Sequence, residues 1–139
     1  MQCTIRIKRL QSVQNAAARV VTLARKRDHI TPVLKELHWL QVQERVIFKI
    51  LLLTYKALNN LTPSYISQLV KRNIPSRDLR SSTSNRLVNV SYNLKTYGFR
   101  AFSSEASALW NELPQNIRWC SSVNEFKRLV KTHLFKKAF

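Results

Sequence analysis

The segment VQERVIFKILLLTYKALN, residues 42–59, decides the fold because it is apolar over most of a helical circumference. A helix of this kind is typical of the centre of a core. Lys49 interrupts its most apolar part, residues 46–55, which is far shorter than the roughly 20 residues needed to span a bilayer. The segment therefore predicts a buried helix and no membrane insertion.

Helical patterns precede and follow this segment. From Leu10 to about Ala24, apolar residues recur every three or four positions and mark one face of an amphipathic helix. Thr31 and Pro32 predict the cap and the first residue of a short helix that reaches His38. The chain therefore enters its apolar centre through two predicted helices.

Beyond the apolar segment, residues 59–60 are both asparagine and predict a helix C-cap, and Thr62 with Pro63 predicts a short helix. A further helix is predicted from Ser103 or Ser104 to about residue 113, where a proline follows. Ser122 opens an S-x-x-E capping box before the last helix. That helix places apolar residues on or near one face: Val123, Phe126, Leu129, Val130, His133 and Leu134.

The segment between these helical parts is rich in serine and asparagine, and its LVNVSY pattern suggests one or two short strands. Gly98, the only glycine, predicts a turn with positive φ. The fold class is therefore mainly α: a small helical domain of about five to six helices with a short irregular or β-hairpin-like insertion near residues 75–100. Residues 1–139 are expected to form one region, helical over 10–72, polar over 73–101 and helical over 102–137.

The charge of the chain is its clearest functional signal. Lys and Arg number 24 against 7 Asp and Glu, which gives a net charge of +17. Such an excess is strongly self-repulsive unless an anionic partner neutralises it, and nucleic acid is the leading partner on this ground. Thirteen residues are candidate contacts: Arg19, Arg25, Lys26, Arg27, Arg77, Arg80, Arg86, Lys95, Tyr97, Arg100, Lys127, Arg128 and Lys131.

Each group of candidates also has a simpler interpretation. Basic residues near the end of the first helix favour the helix dipole, so that capping competes with nucleic-acid contact. The basic side of the last helix could bind phosphate, an anionic membrane surface or an acidic partner helix, or simply be solvated.

Tyr97 and Phe99, beside Lys95 and Arg100, combine stacking rings with phosphate-seeking charge. The other aromatic residues lie at helical spacing among aliphatic residues, which favours packing in the core.

No catalytic signature is present. The seven acidic residues form no cluster that could hold two metal ions, and a single glycine excludes phosphate-binding glycine loops. The two cysteines, Cys3 and Cys120, form no C-x2-C pair and suggest a reducing compartment. We therefore expect no metal, no cofactor and no enzymatic activity. We assign structural or surface roles to His29, His38 and His133.

No secretory signal is predicted, because the first ten residues, MQCTIRIKRL, are broken by basic residues. The chain is therefore expected to be intracellular, nuclear or cytoplasmic. No helix-turn-helix, zinc-finger or RRM pattern is present, so contacts to RNA or DNA are expected to carry low sequence specificity.

A series of phrases, in order along the chain, resembles the extreme C-terminal region of reverse transcriptases from non-LTR (LINE-type) retrotransposons. They are NAAAR (15–19), DHITP (28–32), LHWL (37–40), YKALN (55–59), LWNELP (109–114) and FKRLVKTHLF (126–135). In that family the region is helical and lies downstream of the endonuclease and polymerase domains. The resemblance implies noncatalytic support of target-primed reverse transcription, by holding element RNA or target DNA near the polymerase.

The resemblance also implies that both catalytic domains would lie N-terminal to Met1. The chain would then be a truncated or domesticated fragment. Two further interpretations remain open: a helical protein-interaction module that docks on the polymerase core of a parent polyprotein, and a decayed fragment without a selected function.

Overall fold

A computed structural model describes the backbone of residues 2–74, 85–90 and 101–139, and the side chains of these segments from residue 5 onward. Their helices are α1 (Gln2–Thr22), α2 (Ile30–Glu36), α3 (Val42–Leu58), α4 (Ser64–Ser67), α5 (Phe102–Glu112), α6 (Gln115–Arg118) and α7 (Val123–Ala138). The predicted mainly α fold is confirmed. Within the described segments, β-structure is limited to one antiparallel bridge between Arg72 and Leu87.

The helix boundaries largely follow the predicted caps and stops. α7 begins directly after Ser122, and α5 ends just before Pro114, as predicted. α1 begins at Gln2, well before the predicted start. α6 was not predicted; it is a single turn for which Pro114 is the N-cap. The predicted turn at Gly98 lies outside the described residues.

The chain divides into two compact units. The first contains Met1–Phe48 with Lys131–Phe139, and the second contains Lys49–Val130. The division falls inside α3 and inside α7. The expectation of a single region over residues 1–139 stays a prediction.

In the first unit, α1 packs against α2 through a face that the apolar periodicity does not mark. Ala18 and Gln14 are buried, whereas Val13 and Val20 on the opposite side are 68% and 75% exposed. The apolar stripe from Leu10 to Val21 therefore faces solvent within this unit. A surface helix usually directs its apolar stripe toward the core, so the sequence pattern indicated the wrong packing face.

Hydrogen bonds explain why the polar side of α1 is the packed side. Gln14 Nε2 donates to the carbonyl oxygen of Leu40 at 2.8 Å. The backbone N–H of Val42 donates to Gln11 Oε1 at 2.8 Å. Val42 is the first residue of α3, and its N–H has no acceptor within that helix. The two glutamines thus satisfy backbone groups at the entry to α3 that an apolar face would leave unpaired.

Among the described residues, three helices are followed within two positions by a non-glycine residue with left-handed backbone: Leu23 (φ 56°), His38 (φ 51°) and Asn60 (φ 55°). After α2, Trp39 N donates to the Leu34 carbonyl at 2.9 Å and His38 N donates to the Lys35 carbonyl at 3.0 Å. This pair of bonds is the Schellman motif, which glycine usually completes. The predicted C-cap at Asn60 after α3 is confirmed by its left-handed φ.

The start of α2 differs from the prediction. His29 is its N-cap, without a side-chain capping bond, so that Thr31 and Pro32 lie inside the first turn. Pro32 is tolerated there because the first four N–H groups of a helix have no partner within it. The predicted end at His38 is also late, since the helix ends at Glu36.

The core of the second unit is built around stacked aromatic rings. Phe126 stacks on Tyr55 with ring centroids 4.3 Å apart and on Trp110 with centroids 5.8 Å apart. All three are buried, which confirms their predicted packing in the core. Trp119 is 57% exposed, so for this residue the prediction of core packing was wrong.

Asn111 of α5 fixes the described part of the polar segment to this core. Its Oδ1 accepts from the backbone N–H of Leu87 at 2.9 Å, and its Nδ2 donates to the carbonyl of Leu87 at 3.0 Å. The side-chain amide thus pairs with both backbone groups of one residue, as a neighbouring strand would. Leu87 is buried and forms the bridge with Arg72, so this segment is anchored on two sides.

Candidate nucleic-acid interface

Eight of the thirteen predicted contact residues lie in the described part of the chain. The other five, together with Phe99, lie outside the described residues: Arg77, Arg80, Lys95, Tyr97 and Arg100. Arg19, Arg25, Lys26, Arg27 and Lys131 belong to the first unit, and Arg86, Lys127 and Arg128 belong to the second.

The basic cluster of residues 25–27 occupies a turn after α1. The backbone N–H of Arg25 donates to Asp28 Oδ2 at 2.7 Å, and Arg19 Nη2 donates to the Asp28 carbonyl at 3.4 Å. Asp28 therefore shapes the turn by accepting a backbone hydrogen bond, and the side chains of residues 25–27 are exposed. Because α1 ends at Thr22, these three residues lie beyond its last turn, and only Arg19 is placed to act on its dipole.

Lys131 lines a pocket of about 360 Å³ in the first unit, together with His38, Thr132, Phe135 and Lys136. The imidazole of His38 stacks on Phe135 with ring centroids 5.5 Å apart, and its Nδ1 lies 3.1 Å from the carbonyl oxygen of Glu36. His38 is thus engaged in packing and in the end of α2, as the predicted structural role requires. In the second unit Lys127 is half-buried and Arg128 is exposed on α7.

Arg118, which the sequence interpretation did not select, is the most unusual basic residue in the second unit. It is only 7% exposed at the end of α6, and its Nε and Nη1 atoms are buried without a hydrogen-bond partner. Buried polar groups in proteins nearly always have partners, because an unpaired donor loses its hydration without compensation. The two nitrogens of Arg118 therefore retain hydrogen-bonding capacity that no described residue satisfies.

Arg118 lines a pocket of about 180 Å³, which we name the Arg118 pocket. Its lining residues are Tyr55, Leu58, Asn59, Arg72, Asn85, Trp110, Arg118, Trp119 and Cys120. These residues contribute two guanidinium groups and no carboxylate. The pocket is therefore lined by positive charge that its own residues leave unneutralised.

The second guanidinium is held by neutral acceptors. Arg72 Nη1 donates to Asn85 Oδ1 at 3.1 Å, and Arg72 Nη2 donates to the carbonyl of Leu58 at 3.2 Å. Asn85 also donates through Nδ2 to the carbonyl of Arg118 at 2.8 Å, and its own carbonyl accepts from Trp110 Nε1 at 2.8 Å. Asn85 thereby fixes Arg72 and the end of α6 relative to each other, while the positive charge of Arg72 is retained.

Arg86 adds further positive charge near the pocket. Burial lowers the pKa of the Arg118 guanidinium, and the positive charge of Arg86 lowers this pKa further. Arginine nevertheless stays protonated in proteins, so the repulsion persists instead of being relieved by proton loss. Arg86 is thus the predicted contact residue that the structure brings near the Arg118 pocket.

Tyr55 and Cys120 also line the pocket. Tyr55 Oη donates to the carbonyl of Cys120 at 3.0 Å. Burial raises the pKa of Tyr55, with smaller contributions from Cys120 and Glu125, and burial followed by Glu125 raises the pKa of Cys120. Glu125 therefore acts electrostatically on these two lining residues, although it is not a lining residue itself. Trp119, next to Arg118, lines the pocket and is 57% exposed.

The sequence contains one signal that pointed to this pocket. Arg118 stands between Ile117 and Trp119 in a short segment that follows Pro114, so that a basic residue interrupts two large apolar ones. Arg72 and Asn85 carry no comparable signal, because their proximity to Arg118 depends on the fold.

Comparison with protein-family models, curated proteins and solved structures found no match to this chain. Among the described residues, no group of three or more His, Cys, Asp or Glu side chains is placed to hold a metal ion. Over the same segments, none of the helices combines the length and the apolar character needed to cross a membrane.

Proposed function

We propose that the protein is a noncatalytic nucleic-acid-binding module that engages phosphate groups with little dependence on base sequence. The observation that carries the proposal is Arg118, a buried guanidinium with two unpaired nitrogens in a pocket that it shares with Arg72. Phosphate is one of the two anions, with carboxylate, whose geometry a guanidinium matches, and it accepts several charge-assisted hydrogen bonds at once.

The distribution of charge supports the same proposal. The net charge of +17 is large for 139 residues, and the exposed turn at residues 25–27 presents three successive basic side chains. Contacts of this kind position a protein on the nucleic-acid backbone without selecting a sequence. The resemblance to the C-terminal region of LINE-type reverse transcriptases leads to the same class of partner, element RNA or target DNA.

The test is a fluorescence-anisotropy titration of the full chain with single-stranded RNA, single-stranded DNA and duplex DNA at several salt concentrations. The logarithm of the binding constant is expected to fall linearly with the logarithm of salt concentration, with a slope of about −0.7 per phosphate contact on single strands. Arg118→Met should weaken binding and make this slope shallower by about 0.7.

Lys49→Met is the matched control, because Lys49 is exposed on α3 in the same unit and does not line the Arg118 pocket. It removes the same charge and should change the affinity much less than Arg118→Met does. Negligible binding to all three ligands at about 50 mM salt, where electrostatic association is strong, would refute the proposal.

A second candidate function is docking on the polymerase domain of a parent polyprotein. The specific observation is the exposed apolar stripe of α1, in which Leu10, Val13, Val20 and Val21 are all more than half exposed. Contiguous exposed apolar surface is typical of protein contact sites. An amphipathic helix of this kind can lie in an apolar groove of a partner.

Hydrophobic-dye fluorescence and sedimentation of the full chain test this second candidate. The wild type should bind the dye, and Val13→Gln with Val20→Gln should reduce the signal while leaving helical circular dichroism unchanged. A monomeric wild-type chain that unfolds cooperatively and binds no dye would remove this candidate.

A further inference from the structure

The Arg118 pocket combines a buried arginine with an exposed aromatic residue. Arg118 and Trp119 are consecutive residues at the end of α6, and both line the pocket. One is 7% exposed and the other is 57% exposed. The pocket therefore offers a charged interior beside an apolar ring that remains accessible from solvent.

The size of the pocket limits what can enter it. Its volume of about 180 Å³ accommodates a phosphate group with ordered water but is small for a complete nucleotide. A ligand held by its phosphate would leave its base outside the pocket. Trp119 also lines the pocket and is 57% exposed, and base stacking on an aromatic ring tolerates every base.

From this geometry we propose that the Arg118 pocket holds one backbone phosphate of an unpaired nucleotide, with the adjoining base stacked on Trp119. The inference rests on the proposed nucleic-acid binding and adds a preference for single-stranded RNA or DNA. In a duplex interior both faces of each base are already occupied by neighbouring bases, so that Trp119 has no free base to contact.

Arg72 and Arg86 give the site its remaining recognition chemistry. Arg72 is fixed by Asn85 and Leu58, so that little side-chain entropy is lost when an anion arrives. Arg86 acts on Arg118 by repulsion, and an anion in the pocket relieves this repulsion. The same groups would accept any phosphate, and it is the stacking on Trp119 that distinguishes unpaired nucleic acid from an isolated phosphate ion.

The first experiment compares wild type and Trp119→Ala by anisotropy with a single strand and with a duplex of the same sequence. Wild type should prefer the single strand, and Trp119→Ala should lower single-strand affinity about tenfold with little effect on the duplex. Tyr65→Ala is the control, because Tyr65 is an aromatic residue of the second unit that is 66% exposed and does not line the pocket.

The second experiment reports occupancy of the pocket directly. Cys120 lines the pocket, so its alkylation rate is measured in a Cys3→Ser background with and without a saturating single strand, at fixed pH. The oligonucleotide should slow alkylation of Cys120 several-fold, and Trp119→Ala should reduce this protection. Inorganic phosphate alone should protect only at much higher concentration.

The outcomes separate this inference from the proposed function. If wild type binds no nucleic acid at low salt, the proposed function itself fails. If wild type binds, but single strands are not preferred, Trp119→Ala behaves like Tyr65→Ala and Cys120 is not protected, then nucleic-acid binding stands and the Arg118 pocket is not its nucleotide site.

Discussion

Replacing Arg118 with methionine should stabilise the free protein, although it removes a proposed ligand-binding residue. The guanidinium is 7% exposed, and its Nε and Nη1 atoms have no partner. Leaving a buried polar group unpaired costs about 1–3 kcal/mol, and more for a charged group. Methionine is unbranched and flexible, so that it can fill the vacated volume, and it suits a helix about as well as arginine does.

The expected gain is therefore about 1–3 kcal/mol in the free energy of unfolding. No side-chain hydrogen bond of Nε or Nη1 is lost, and the bond from Asn85 to residue 118 is retained because it involves the backbone carbonyl. Repulsion by Arg86 also disappears. For a chain of this length, the melting temperature should rise by roughly 3–5 °C per kcal/mol.

The assay is urea and thermal unfolding followed by circular dichroism, in a chloride buffer without phosphate or sulfate. Adding phosphate should stabilise wild type by an amount that depends on the ratio of phosphate concentration to its dissociation constant. At a concentration one hundred times the dissociation constant, the free energy of unfolding should rise by about 2.7 kcal/mol. The stability of Arg118→Met should stay nearly unchanged. Lys49→Met should stay within about 0.5 kcal/mol of wild type, as most exposed substitutions do. An Arg118→Met protein less stable than wild type without anions would refute the reasoning, because it would show that the buried guanidinium is already satisfied.

Three further changes test other parts of the structure. Because Tyr55 and Cys120 have raised pKa values, each keeps its proton more firmly when folded, so stability should fall from about pH 8.5 upward. In urea titrations across this range, the free energy of unfolding should fall less with rising pH for the Tyr55→Phe, Cys120→Ser double variant than for wild type. An equal fall would contradict the assignment of this pH dependence to Tyr55 and Cys120. Leu23→Gly should raise the free energy of unfolding by about 0.5–1 kcal/mol because Leu23 is left-handed and 90% exposed, and Leu23→Ala should not reproduce this gain. Asn111→Asp should lower the free energy of unfolding by about 1–3 kcal/mol in the same assay, because an oxygen would replace the donor that faces the Leu87 carbonyl. An unchanged free energy of unfolding would mean that this hydrogen bond is dispensable.

The sequence predicts the helices well where local chemistry alone places them. Pro114 ends α5, Ser122 precedes α7, and Asn60 takes the left-handed position after α3. The apolar face of α7 is also confirmed, since Phe126 and Val130 are buried. These features depend on neighbours within a few residues, so a single sequence contains the information needed to predict them.

Packing partners are harder to predict because they depend on distant residues. The periodicity of α1 marks Val13 and Val20, but its packed side is set by Gln11 and Gln14, which reach backbone groups some thirty residues away. The apolar periodicity identifies a helix face whose burial is favourable. It contains no information about which partner covers that face. The candidate site shows the same limit: of the described arginines that line the pocket or lie near it, Arg72, Arg86 and Arg118, the sequence predicted Arg86 alone.

The burial of Arg118 follows from that of its neighbour Ile117, and it bears on the proposed binding of an anion. Consecutive helical residues point about 100° apart, and Ile117 and Arg118 are both buried. A rotation of α6 that exposed the Arg118 side chain to solvent would therefore move Ile117 out of the core of the second unit. The guanidinium loses its hydration when the chain folds, so an arriving phosphate does not have to displace the water that surrounds an exposed arginine. A site prepared in this way can bind an anion more tightly than the exposed basic turn at residues 25–27.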